Sequence, residues 1–421
     1  MRRPAGAHPL VLATVFGDML GYGIVTPLLP LQAQAAGATP LHVGGLLAGY
    51  AALQAVCGPL IARWSDRAGR RPALLLCLAG SAAGYLTLAF ADSLALIGLA
   101  LLLDAVTGAN FSVAQAYLAD TTPAERRARR FGLATAAYGI GLVCGPWLTS
   151  LAGVWGAAAP LLLAAGLAML NLVLVAVLLP EPVHGARPPA LAAGAPPRGI
   201  ARLLLVIFLV NIAFNGLQAI VPLVSQQRFG WGIVENGRFY GFVAVVALLT
   251  QVLLVPLLGR WRDDDWLTRA GCAIAALGLA AMGLAPGLLA GSVAAALTAL
   301  GVNLAIVGLT SRIAAAGGAQ HHGQTMGTLQ WVLNAALVVG PLGAGALLDR
   351  AGPSAPFTGG ALVALLALCI ALRRPRAGTH GGTQVGAGSH EDTKARRAGG
   401  GGRETGSHED TKTRRGGGEG T

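Results

Sequence analysis

The sequence predicts an all-α membrane protein of twelve transmembrane helices arranged as two six-helix halves. Three observations carry this prediction. Apolar runs of spanning length recur twelve times, the basic residues alternate between the segments joining them, and three short passages return at a near-constant offset. Of the 421 residues, 54% are hydrophobic and only 11% charged. A soluble domain carries about 25% charged residues, so most of this chain does not face water.

A bilayer core of about 30 Å takes about 20 apolar residues in a helix. Runs of that size fall at approximately 10–31, 43–62, 73–91, 93–118, 131–152, 157–179, 203–224, 239–258, 270–285, 288–311, 326–348 and 357–372, here helices 1 to 12. Met1-Arg2-Arg3 leads directly into helix 1 without a small-residue cleavage site, so this run is expected to be a span and not a signal peptide. Helices 9 and 10 are separated only by Ala285-Pro286-Gly287. With the N-terminus in the cytoplasm, twenty Lys and Arg residues between Arg2 and Arg376 fall on the cytoplasmic side, against Arg228, Arg238 and Arg350 outside. The positive-inside rule then puts both termini in the cytoplasm of a cell (inner) membrane. A missing span would invert every later segment. The net charge of +12 therefore follows topology, and no nucleic-acid partner is expected. The five cysteines all lie within predicted spans, where a thiol serves as a small apolar filler, and they form neither a disulfide framework nor a CxxC pattern.

The internal repeat supports the division into halves. Ile24-Val25-Thr26-Pro27-Leu28 is echoed by Ile220-Val221-Pro222-Leu223, with 195 residues between the prolines. Arg63-Trp64-Ser65-Asp66 is echoed by Arg260-Trp261-Arg262-Asp263 at 197, and Val143-Cys144-Gly145-Pro146 by Val338-Val339-Gly340-Pro341 at 195. Each match is short; their common spacing is the signal. The expected organisation is a first bundle over 1–179, a Pro/Ala/Gly-rich cytoplasmic linker over 180–202, a second bundle over 203–376, and a tail over 377–421. The tail repeats Gly-Ser-His-Glu-Asp-Thr-Lys and has too few apolar residues to offset ordering entropy, so it is expected to be disordered. Repeated halves commonly serve alternating access around a midplane site.

Between helices 2 and 3 stands Ala62-Arg63-Trp64-Ser65-Asp66-Arg67-Ala68-Gly69-Arg70-Arg71-Pro72. Helix 5 carries Gly132, Gly141 and Gly145-Pro146, in which glycines allow close helix contact and the proline removes a backbone donor. Helix 1 contains Gly17-Asp18-Met19-Leu20-Gly21-Tyr22-Gly23, and helix 4 runs from Leu103-Asp104 through Asn110 and Gln115 to Asp120. These passages resemble the major facilitator superfamily, and within it the twelve-helix drug:proton antiporters that include the tetracycline efflux proteins. The resemblance covers about residues 5–375. It implies the major facilitator fold, a conformational latch at Asp66, Arg67, Gly69, Arg70 and Arg71, and an antiporter-type helix at Gly132, Gly141, Gly145 and Pro146. The chain departs from the pattern in five ways. Ala62 replaces a glycine at the start of the helix 2–3 motif, and Thr149-Ser150 replaces a Gly-Gly in helix 5. Leu101 stands where the family usually has an arginine, and Gly84 where tetracycline pumps have an acid before Tyr85. Helix 9 carries no acid in its predicted apolar run.

Only Asp18 and Asp104 are acids inside the predicted spans, and no Lys or Arg inside a span can pair with them. By helical rise Asp18 lies about 12 Å from the cytoplasmic end of helix 1, and Asp104 about 15 Å from the outer end of helix 4. A carboxylate at that depth costs about 2.5–3.5 kcal/mol on insertion scales, which suggests a proton-coupling role for both; a protonated Asp that merely cross-links helices is the alternative. Asn211, Asn215 and Gln218 form one stripe of helix 7 by their spacing. With Tyr22, Asn110, Gln115, Asn303, Gln330, Trp331 and Asn334 they are the candidate substrate contacts, unless individual amides only join helices at about 0.6 kcal/mol each.

The function expected is secondary active transport, a proton-coupled efflux of a small amphipathic compound. The partners are then the substrate, protons and the bilayer, the working unit is a monomer, and the proton gradient replaces any cofactor. An uncoupled facilitator or a non-transporting receptor on the same fold are the alternatives. Buried acids argue against the first and the intact Asp66-to-Arg71 pattern against the second. The only lysines, Lys394 and Lys412, lie in the tail, so no phosphate-binding Gly-x-x-x-x-Gly-Lys loop exists to support ATP drive. Neither a nucleophile constellation nor a zinc site is evident, so no enzyme is expected.

Overall fold

The computed structural model describes residues 7–182 and 200–373. Most of the predicted linker and all of the tail from 377 lie outside these residues. Among the described residues the secondary structure is helical, without strands, and twelve helices are long and apolar enough to cross a membrane. Helices 1 to 6 are His8–Ala35, Pro40–Ala68, Arg70–Ala89, Leu94–Thr121, Glu125–Gly153 and Ala158–Leu178. Helices 7 to 12 are Ala201–Phe229, Ile233–Gly259, Asp264–Leu284, Leu289–Gly317, Gln324–Ala351 and Ala355–Leu372.

Helices 2, 8 and 9 begin before their apolar runs, at polar caps. Thr39 and His42 form a reciprocal capping box at the start of helix 2, with His42 N donating to Thr39 Oγ1 at 3.3 Å. Asp263 accepts from Trp266 N at 2.9 Å before helix 9, and Glu235 accepts from Gly232 N at 2.9 Å before helix 8. Helices 2 and 3 are joined by Gly69 alone, at φ +115°, a backbone region that an L side chain rarely adopts.

Helix continuity differs from the apolar runs in two places. Helical structure continues between helices 10 and 11, over Leu288–Ala351. This helix does not run straight. Eight residues of straight α-helix span about 12 Å, yet a Cβ on Gly317 would lie 2.5 Å from Thr325 Oγ1, so the chain folds back between them. Conversely, helices 1 and 4 are each interrupted, after Val25 and after Thr107. These are the two helices that carry Asp18 and Asp104.

The two sets of six helices lock together at the end of the bundle where helix 1 runs into helix 2. Gly44 and Gly345 leave no room for a Cβ against the backbone of Pro341 and Pro40, bringing helices 2 and 11 into contact. Helices 5 and 8 meet in the same way. A Cβ on Gly237 would lie 2.7 Å from Ser150 N, and one on Gly241 would lie 2.6 Å from Trp147 Nε1. Towards the opposite end, helices 2 and 11 leave Val56, Leu60 and Trp331 exposed, Trp331 at 70%.

Candidate functional site

Between the two sets of helices lies a cavity walled by helices 1, 2, 3, 4, 7 and 11. Its lining is mostly apolar, with polar groups converging from different helices: Tyr22, Tyr50, Gln54, Asp104, Asn215 and Gln218. Ligand sites typically combine an apolar wall with a few placed polar groups in this way.

Asp104 is 9% exposed on this wall. Its two carboxyl oxygens are divided between two donors. Tyr50 Oη donates to Oδ2 at 2.9 Å and Ser81 Oγ to Oδ1 at 2.7 Å. Gln54, one turn beyond Tyr50, donates to the tyrosine oxygen at 3.4 Å. Helices 3 and 4 approach closely enough for the Ser81 bond because residue 84 is glycine. A Cβ there would lie 2.9 Å from Ala100 O and 3.1 Å from Asp104 Cβ. An acidic side chain at position 84 has no room on this backbone.

Asp18 stands apart from the cavity wall. Asn110 Nδ2 donates to its Oδ1 at 2.7 Å, from the first residue after the break in helix 4. Gly108, within that break, packs on Gln54, whose Nε2 would lie 2.5 Å from a Cβ there. The interruption thus touches both acid sites, as Asn110 holds Asp18 and Gln54 reaches towards Asp104 through Tyr50. Broken helices at a transporter midplane are a recognised way to build a site.

The remaining candidates separate. Tyr22, Asn215 and Gln218 line the cavity. Asn211, the third member of their stripe, is buried and donates to Ile207 O at 2.8 Å within its own helix. Asn303 accepts from Gln251 at 2.6 Å, beside a π-helical turn at Thr250–Leu254 in helix 8. Gln330 donates to Asn334 at 3.2 Å, and neither these two nor Trp331 nor Gln115 lines the cavity. Tyr50, Gln54 and Ser81 are site residues that sequence reasoning missed. Tyr50 and Gln54 share one face of helix 2 at i and i+4, which was the available signal.

The helix 5 glycines pack on helix 1. A Cβ on Gly141 would lie 2.6 Å from Phe16 O, and one on Gly145 would lie 2.6 Å from Gly23 Cα. Helix 5 therefore clamps the segment bearing Asp18. Gly132 has no atom within 4 Å of its Cβ position and takes no part in this contact.

At the helix 2–3 turn, Arg70 is 3% exposed and pairs with Asp66 at 2.6 Å and Asp120 at 2.7 Å, with Ser65 Oγ at 3.1 Å. The backbone amides of Arg70 and Arg71 donate to the two oxygens of Glu181 at 2.7 and 2.9 Å, and Arg71 also donates to Ala176 O. Arg67 is exposed at the helix end. One arginine thus ties the ends of helices 2, 3 and 4. In the second half Arg312 of helix 10 pairs with Asp265 of helix 9 at the corresponding place, with the charges exchanged. Replacing Asp66 by Asn is expected to slow conformational exchange while expression and substrate binding in detergent persist. Transport at the parental rate would reduce this turn to a topological anchor.

Residues 11–311 match the Major Facilitator Superfamily. The chain belongs to that superfamily. Among its curated relatives, the class C tetracycline resistance protein of Escherichia coli is 32% identical over 79% of this chain and 87% of the relative. The class D protein of Salmonella ordonez is 31% identical over 87% of this chain and 98% of the relative. Solved structures of the same fold include a bacterial homologue of the human lysosomal transporter Spinster in an inward-facing, occupied conformation. It has a TM-score of 0.75 at 16% identity, covering 88% of this chain and 97% of that one. The human organic anion transporter MFSD10 aligns with a TM-score of 0.64 at 22% identity over 88% of this chain and 100% of that one. This major facilitator protein is a multi-pass membrane transporter by family and fold.

Proposed function

We propose that this transporter exports a small amphipathic compound in exchange for protons, by alternating access, as a monomer in the inner membrane. The observation that carries the reading is Asp104, a carboxyl on the wall of an otherwise apolar cavity, held by two neutral hydroxyls. Such a group can accept a proton or a cationic substrate without first breaking an ion pair. With the termini in the cytoplasm, as the basic residues favour, the interlocked end at Gly44, Gly237, Gly241 and Gly345 is the outer one. The state described is then sealed outside and is suited to loading from within. The cavity is walled by one chain, so the proposal needs no partner subunit.

The test is transport in inverted vesicles with an imposed pH gradient, a substrate panel and a pH-sensitive dye. Substrate uptake together with proton efflux from the acidified vesicle interior is the expected result. Uptake without proton movement would favour an uncoupled facilitator, and a silent panel a receptor.

Tetracycline has a place in that panel because of the relatives named above. The absence of room for an acid at Gly84 argues against strong recognition of its magnesium chelate. Expression in a sensitive host is expected to leave the inhibitory concentration of tetracycline nearly unchanged. A large, gene-dependent rise would overturn this reading of the substrate.

A further inference from the structure

A second cavity opens on the flank of the bundle, between helices 2 and 4 with Leu342 of helix 11 at its edge. Its wall is leucine and glycine for most of its length. Gly45 and Gly49 of helix 2 and Gly98 of helix 4 have no atom within 4 Å of their Cβ positions, so missing side chains create its depth. It runs along helix 2 from Leu41 to Leu53, roughly 18 Å at helical rise, which is about one leaflet of the bilayer.

Two residues, Tyr50 and Leu101, line both this groove and the central cavity. They are the partition between bilayer and site. Directly behind Tyr50 is Asp104, which accepts its hydroxyl hydrogen bond. Leu101 occupies the position at which the family resemblance implies an arginine, so here the partition carries no charge on that side. Apart from His42 at one end, a molecule dissolved in hydrocarbon would meet an apolar channel as far as Tyr50, then a carboxyl.

We propose that this groove is a lateral access route from the membrane to the central cavity, with Tyr50 and Leu101 as its gate. Its occupant is a bilayer-dissolved amphipath whose apolar part lies along Gly45, Gly49 and Gly98 and whose cationic head turns towards Asp104. The export of that molecule rests on the function proposed above; its access to the cavity does not.

The experiment therefore reads access alone. Leu101→Cys is reconstituted in phosphatidylcholine vesicles and exposed either to a maleimide on a long alkyl chain, which dissolves in the bilayer, or to a sulfonated, water-confined maleimide. Modification at position 101 is followed by peptide mass spectrometry. Gly49→Trp and Gly98→Trp, each added separately, fill the groove from positions with open space. The alkyl reagent is expected to modify position 101, and either tryptophan to slow it about tenfold or more, as a barrier raised by about 1.4 kcal/mol would. The sulfonated reagent should react at an unchanged rate. Alkyl labelling at equal rates with and without the tryptophans would overturn the proposal, as would labelling by the water-confined reagent alone. Should Leu101→Cys not fold, Ala51→Cys on the cavity wall beside Tyr50 takes its place. If no compound is ever transported, the labelling result still stands or falls independently.

Discussion

Replacing Asp18 by Asn is expected to abolish proton-driven accumulation of every substrate while leaving substrate-for-substrate exchange measurable. Each proton exchanged across one pH unit supplies about 1.4 kcal/mol, enough for about tenfold accumulation of a neutral substrate. In Asp18→Asn that ratio should fall to about one, because an amide keeps the shape of the carboxyl but cannot carry a proton. Asp18 lies off the cavity wall and is held by Asn110, so its loss should leave binding affinity largely intact. Asp104 faces the substrate space. Asp104→Asn is expected to weaken cationic ligands more than neutral ones, since Tyr50 and Ser81 bring no countercharge. The measurement is paired: affinity for one cationic and one neutral ligand, and gradient-driven uptake, in each variant. Full accumulation in Asp18→Asn would remove it as proton carrier, and equal affinity losses in Asp104→Asn would remove the charge-pairing role.

The second large effect is expected at the contact of helices 1 and 5. A Cβ at position 145 meets Gly23 Cα and C at 2.6 Å, both of them backbone atoms that cannot rotate away. Gly145→Val should therefore cost about 3 kcal/mol, at the upper end of overpacking effects. It should also lower the melting temperature in detergent and release helix 1 from its clamp. Gly132→Ala meets open space and should leave melting unchanged or slightly raised, since alanine favours helix. Equal melting of Gly145→Val and the parental protein would show that the glycine contact is not needed for the assembled bundle.

Of the two acids legible in the sequence, Asp104 lines the candidate site and Asp18 lies off its wall. Asp18 and Asp104 stand out because a carboxyl inside an apolar run is expensive wherever the helix points. The amides were less legible. Helical spacing puts Asn211, Asn215 and Gln218 on one stripe, yet only the last two reach the cavity. The stripe is longer than the cavity wall, and Asn211 satisfies itself on its own helix. Trp331, Gln330 and Asn334 share a helix with the cavity-lining Leu337 and Pro341 but not its lining surface. Ser81 and Tyr50 are ordinary residues in their own helices and acquire meaning only by facing Asp104 from two directions.

What the sequence by itself determined were the properties set by the bilayer. The number and approximate places of the spans follow from local hydropathy and hydrocarbon thickness. The one-residue turn at Gly69 belongs with these, because its backbone conformation is a local demand. Tertiary structure alone decided how each helix is rotated about its axis, where helices 1 and 4 break, and which end of the bundle is closed. Rotation and closure depend on the backbone contacts of Gly44, Gly145, Gly237 and Gly345 with partners on helices distant in the sequence, 87 residues away or more. Side-chain periodicity within one helix carries no information about how closely a distant backbone can approach.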